Sequence, residues 1–260
     1  MSAVTNLFPP GALPYAAAPG LSAAPFETAE LRRMLDAFLD APFGAKRAGD
    51  WRWGVYCFYD YDGEPIYVGQ TNERLRIRIR RHLTNQRTDA VAMNVLDPFE
   101  VAEIEVWPLC ALEEIDPKDR TQAGREARAA LNALERAVAE GAVARSRFKA
   151  ILNEKDPPRD GPDVDPPPSH RGRVVSDEVR RLRDHPDLRL ARRALVISRL
   201  AQVIAEREVR GGLRRVLTVQ AQRLLWLAEQ RYGATGGARQ VKAAPEQGDL
   251  IDGAGDGDDA

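Results

Sequence analysis

Two periods of apolar residues alternate along the chain, and each predicts its own kind of element. Leu31, Met34, Leu35, Phe38 and Leu39 recur at i, i+3, i+4, i+7 and i+8, which predicts an amphipathic helix from Thr28 to about Ala41-Pro42. Residues 51–70 predict a β-hairpin. Gly54-Val-Tyr-Cys-Phe-Tyr59 is rich in β-branched and aromatic side chains, Asp60 to Gly63 supplies the turn, and Glu64 to Val68 runs back. Pro65 puts the return strand at a sheet edge or beside a bulge, because it has no N–H to give a ladder. Helical spacing returns over Asn72–Leu83. Leu75, Ile79 and Leu83 form its apolar stripe, and Arg74, Arg78 and His82 share the neighbouring face. Val101–Val106 alternates, with Ala102, Ile104 and Val106 on one face and Glu103 and Glu105 on the other. A long helix over Gly124–Glu140 follows, with Gly141 as its stop. Two more, Pro186–Glu208 and Leu213–Arg231, are divided by Gly211-Gly212.

These elements predict an α+β fold: a small antiparallel β-sheet flanked by helices, with a C-terminal α-helical module. Composition sets the boundaries. Residues 1–25, rich in Ala and Pro, read as a disordered leader, and 26–50 as an N-terminal helix. Residues 51–155 hold the mixed elements. Asp156–Pro168 carries six prolines and four aspartates and cannot build a core, so 156–170 reads as a stiff linker. Residues 171–232 form an arginine-rich helical module, and 233–260 read as an acidic disordered tail.

Charge changes the picture more than composition does. The 260 residues have a net charge of −1, but the charge is segregated. Residues 171–232 carry 15 arginines and no lysine against seven acids, a net of +8, whereas 245–260 carry six acids and no base. A chain that averages to neutral can still present a basic body to nucleic acid. No run of about 18 apolar residues occurs, so no membrane-spanning helix is expected. Two cysteines and three scattered histidines give neither a disulfide framework nor a zinc-finger spacing. The Pro-broken start makes a poor signal peptide, so a cytoplasmic location is expected.

The candidate chemistry sits on the hairpin and the helix after it. Gly54-Val55-Tyr56 and Tyr67-Val68-Gly69 occupy equivalent ends of two strands, which an antiparallel hairpin brings together. Arg78 and His82 follow on one helical face. A guanidinium, an imidazole and two phenols are groups suited to phosphate. Taken singly, each has a plain structural reading: tyrosines pack in hairpins, arginine runs face water, and His82 near a helix C-terminus complements the dipole.

Together, Gly54-Val55-Tyr56, Tyr67-Val68-Gly69-Gln70-Thr71 and Arg78-x-x-x-His82 resemble the GIY-YIG nuclease family, with Val in place of Ile in both tripeptides. Leu134-Glu135 and Leu152-Asn153 resemble the helix glutamate and late asparagine of that family, so the resemblance covers about residues 51–155. It implies a metal-dependent endonuclease that hydrolyses phosphodiester bonds in DNA by in-line attack of water. The implied roles are Tyr56 as general base, Arg78 for transition-state charge, Glu135 as ligand of Mg²⁺ (or Mn²⁺), Tyr67 and His82 as orienting groups with His82 a rival base, and Asn153 as a buttress. Glu126, Glu113 and Glu114 are the alternative acids. Arg74, Arg81, Arg189, Arg192 and Arg193 are the expected DNA contacts, and a homodimer is a compatible assembly for double-strand cutting. Restriction-like defence, repair and mobile-element maintenance are all consistent settings. The competing readings are a catalytically inactive nucleic-acid-binding module and a helical protein-interaction scaffold.

Overall fold

The computed structural model describes residues 25–84, 94–158, 162–209 and 211–237. The expected leader, except for its last residue, and the acidic stretch 245–260 lie outside the described residues. Six helices occur among the described residues: α1 Phe26–Asp40, α2 Leu75–Leu83, α3 Gln122–Arg145, α4 Asp177–Arg183, α5 Pro186–Glu206 and α6 Gly211–Ala234. A two-stranded ribbon joins β1 Pro42–Phe43 to β2 Lys46–Arg47. The main sheet contains β3 Gly54–Tyr59, β4 Pro65–Thr71, β5 Glu103–Pro108 and β6 His170–Arg173, in the order β4-β3-β5-β6, with every pair antiparallel.

Strand β3 is buried along its whole length because both faces of the sheet are covered. Tyr56 and Phe58 face one core, where Leu35, Phe38 and Leu39 of α1 and Leu75, Ile79 and Leu83 of α2 pack. Val55, Cys57 and Tyr59 face a second core built by Ala127, Leu131, Leu134 and Val138 of α3. The alternation within β3 is real, but both sets of residues are apolar or aromatic. Strand β4 lies at the sheet edge, and its register with β3 slips opposite Pro65. Both consequences expected of Pro65 therefore occur. Helix α2 starts at Leu75 rather than Asn72, after a turn in which the Thr71 hydroxyl accepts from the Glu73 N–H at 3.1 Å. Helix α3 runs through Gly141 to Arg145. One glycine inside a long packed helix costs too little to stop it.

The C-terminal helices pack against the sheet and its core. After the proline-rich stretch, residues 170–173 return to the sheet as β6 beside β5. Its sequence His-Arg-Gly-Arg has no apolar alternation, and its outward side chains pair with β5 instead. Arg171 donates to Glu103 at 2.8 Å and lies 3.8 Å over the Tyr59 ring, while Tyr59 and Ser169 both donate to Glu105 at 2.6 Å. Helices α5 and α6 then send Leu200, Leu213, Val216 and Val219 into the same core as Tyr56 and Phe58.

A buried ionic network locks these helices to the β3–β4 turn. One Asp60 oxygen accepts from the backbone N–H groups of Asp62 and Glu64 at 2.9 and 3.1 Å and shapes the turn, with Gly63 at φ +69°. Its other oxygen accepts from Arg193 at 3.1 Å and Arg223 at 2.7 Å. Arg193 also reaches Glu100, and Arg189 grips Asp62 at 2.6 Å. Arg189 and Arg193 are therefore interior residues, only 2% and 3% exposed. This corrects the expectation that they contact DNA, since their charge is spent on buried carboxylates. Arg192 is half-buried, 5.5 Å over the Phe99 ring. The network predicts that Asp60→Ala, which leaves the buried Arg223 without its carboxylate and Arg193 with Glu100 alone, lowers unfolding free energy by about 3–5 kcal/mol. Urea denaturation checks this, with the exposed substitution Glu126→Ala expected to stay within about 0.5 kcal/mol of the parent.

Candidate active site

The two tripeptides meet as the hairpin requires. Tyr56 pairs with Gly69 across β3 and β4, and Phe58 pairs with Tyr67. Tyr56 and Tyr67 lie on the same face, with ring centroids 6.4 Å apart. Gly69 is needed for space: a Cβ there would lie 2.5 Å from the Tyr56 hydroxyl oxygen. The second glycine of the motif thus leaves room for the first tyrosine.

Helix α2 supplies the next groups. His82 is buried, and its Nε2 lies 2.8 Å from the Tyr56 hydroxyl. Burial, with the fields of Arg78 and Arg81 adding to it, lowers the imidazole pKa to about 3, so His82 is neutral near pH 7. Its ring is 5.5 Å from that of Tyr67. Burial raises the Tyr56 phenol well above its ordinary range, and Tyr67 adds to this while Arg78 opposes it. The positive charge that a tyrosine base requires is present in Arg78, but desolvation outweighs it. Tyr56 is a neutral phenol here. The Arg78 Nε is buried without a hydrogen-bond partner among the described residues.

Helix α3 brings Glu135 to the same place. Tyr67, Arg78, His82, Glu135 and Asn153 line one cleft of about 370 Å³, with Val95 and residues 154–158 completing its wall. Burial pushes the Glu135 carboxyl up to about 7, against the pull of Arg78. The alternative acids are elsewhere. Glu113 is held by Lys46 at 2.6 Å and the Arg52 N–H at 2.9 Å, Glu126 faces solvent beside Gln122, and neither they nor Glu114 lines the cleft. Asn153 acts like one residue of an extra strand. Its Oδ1 accepts from the Val68 N–H at 3.0 Å and its Nδ2 donates to the Val68 carbonyl at 2.7 Å, while the Leu152 N–H donates to Ile66 O at 2.8 Å. The side chain thus satisfies the outer edge of β4 beside Tyr67.

Six residues named from sequence thus converge on the edge of β4: Tyr67, Arg78, His82, Glu135 and Asn153 line the cleft, and Tyr56 is joined to it through His82. Residues 52–129 match the family model of the GIY-YIG catalytic domain. The chain carries a GIY-YIG domain. No curated protein and no solved structure matches the chain. Tyr56, Tyr67, Arg78 and His82 fall inside the matched stretch of the GIY-YIG domain, whereas Glu135 and Asn153 lie beyond it and are brought to it by packing. Of the remaining expected DNA contacts, Arg74 is exposed where α2 begins, and Arg81 is paired with Glu73 at 2.7 Å. Sequence reasoning missed the wall formed by residues 154–158, since a polar, proline-ended segment gives no periodic signal.

A divalent cation fits this donor set. Glu135 is a hard oxygen ligand that burial leaves short of compensating charge, and no group of three or more His, Cys, Asp or Glu side chains gathers among the described residues. One carboxylate in an open cleft suits a divalent cation that keeps most of its waters.

The raised Glu135 pKa carries a stability signature. The folded state holds this proton between pH 4.5 and about 7, where the unfolded chain releases it. Stability from this group is therefore present at low pH and lost as pH rises through 7. Glu135→Gln is expected to match the parent near pH 4.5 and to exceed it by about 1–2 kcal/mol at pH 8, after allowance for solvent screening. Denaturation in EDTA across pH reads this directly. Gly69→Ala is expected to push the Tyr56 ring from His82 and to cost about 1–3 kcal/mol through overpacking.

Proposed function

We propose that this protein is a metal-dependent endonuclease that hydrolyses phosphodiester bonds in DNA by in-line attack of water. The observation that carries the reading is the convergence of Arg78, His82, Glu135, Tyr67 and Asn153 on one cleft, drawn from two helices, a strand and a loop, inside and beyond the GIY-YIG match. The structural carboxylate–guanidinium pairs of this fold are hydrogen-bonded to one another, as Asp60 is to Arg193 and Arg223, whereas Glu135 and Arg78 share an open cleft with a phenol and a neutral imidazole.

The residues divide the work as follows. Arg78 faces the phosphate and stabilises charge as the phosphorus becomes five-coordinate; its buried, unmatched Nε is a donor awaiting an anionic oxygen. Glu135 would hold the cation, Mg²⁺ or Mn²⁺, which would supply Lewis-acid polarisation of the phosphate. Tyr56 need not ionise beforehand. With His82 protonated at Nδ1, the Tyr56 hydroxyl donates to His82 Nε2 while its oxygen takes the proton of the attacking water. One proton enters Tyr56 and one leaves, and His82 ends as imidazolium beside an anionic phosphate that favours that charge. Tyr67 borders the attacking side, and Asn153 fixes the β4 edge on which Tyr67 stands.

No helix among the described residues is long and apolar enough to cross a membrane. Each chain supplies one such cleft, so double-strand cutting calls for two chains or two successive binding events.

The test is cleavage of supercoiled plasmid. Mg²⁺ is expected to support nicking or linearisation and EDTA to abolish it. Arg78→Ala and Glu135→Ala are each expected to lower the rate at least 100-fold, as loss of one transition-state contact does. Salt-sensitive binding without cleavage would favour the inactive binding module instead.

A further inference from the structure

The catalytic cleft is the middle of three cavities that follow one another along α3. Before it, Gln70, Thr71 and Asn72 face Arg128 and Asn132 across a cavity of about 240 Å³. After it comes a cavity of about 420 Å³, floored by Ala139, Val143, Ala144 and Ile151, with Lys149 and Arg215 on its rim. Asn153, Asp156 and Pro157 wall both this cavity and the catalytic cleft. From Arg128 to Ala144 the helix rises about 24 Å. That is the rise of about seven stacked nucleotides of one DNA strand.

We infer that one strand of the DNA runs along α3, with the scissile phosphate at Arg78 and Glu135 and its neighbours seated in the two flanking cavities. This rests on the nuclease reading and adds the path of the substrate. The two flanks differ in chemistry. In the first, Gln70 Nε2 donates to Asn132 Oδ1 at 2.9 Å, while Gln70 Oε1 is buried without a hydrogen-bond partner among the described residues. With Thr71, Asn72 and Arg128, the paired amides give this cavity a polar lining of the kind that meets a base edge. The second combines an apolar floor with a rim of mixed charge, Lys149 and Arg215 beside Glu140 and Asp156, and the floor suits the flat face of a base. Two acids border this rim. Arg215 neutralises Asp156 at 2.9 Å, and Glu140 faces solvent. A strand so placed passes over the 153–157 wall, which explains why a polar segment is held there by Arg215 through both Asp156 and the Asn153 carbonyl at 3.1 Å.

Two substitutions block the flanks without touching the cleft. Ala144→Trp fills the larger cavity from an exposed position, and Asn132→Leu removes the amide partner of Gln70. Binding of a fluorescein-labelled 12-base-pair DNA duplex is followed by anisotropy in EDTA, with hydrolysis of bis(p-nitrophenyl) phosphate in Mg²⁺ as the reading of the cleft alone. The expected result is about tenfold weaker duplex binding in each variant, with small-diester hydrolysis and unfolding midpoints unchanged. Unchanged duplex binding in both variants overturns the strand path. Equal loss on the small diester also overturns it, since the residues would then act on the cleft itself. If the parent hydrolyses neither diester nor duplex, the nuclease reading fails, and the binding result still decides the strand path.

Discussion

Asp60 is the residue on which the arrangement depends. One of its oxygens closes the β3–β4 turn, and the other receives guanidinium groups from α5 and α6. A carboxylate only 2% exposed is tolerable when each lone pair meets a donor, and this one meets four. The turn that aligns Tyr56 with Gly69 is thereby held by helices more than 120 residues later. One carboxylate thus couples the β3–β4 hairpin to the docking of α5 and α6.

The site follows from an edge. Strand β4 has β3 on one side only, so its outer backbone groups need partners. The Leu152 N–H and the Asn153 amide supply them, and this draws the 153–158 segment against the opening where Arg78, His82 and Glu135 meet. An uncapped strand edge invites pairing with other chains. Here a loop covers part of that edge and becomes the wall of a cleft.

At Tyr56, His82 and Glu135, burial sets the direction of the shift. It holds Tyr56 neutral, deprives His82 of its proton and raises Glu135 toward neutrality. Arg78 opposes the shift at Tyr56 and Glu135 and reinforces it at His82. The cleft thus sets one fixed positive charge beside a neutral imidazole and a carboxyl raised to about 7, and Glu154, Lys155 and Asp156 add further ionisable side chains to its wall.

Periodicity was enough to place the hairpin, α2, the third strand and the long helix, because those elements carry apolar stripes, whereas the six converging residues were named through the family resemblance that the tripeptides carry. The choice of Glu135 over Glu113, Glu114 and Glu126 was legible only through resemblance; in the fold, Glu135 alone of the four lines the cleft with Arg78. Strand β6 was not legible, because its polar side chains pair with Glu103 and Glu105 instead of filling a core. The arginines show the same limit from the other side. A run of positive charge in sequence reads as a surface for DNA, yet Arg189 and Arg193 point inward. Sequence determines how much charge a helix carries, and only tertiary packing decides which carboxylates it meets, because Asp60 and Glu100 lie some 90 to 130 residues away along the chain.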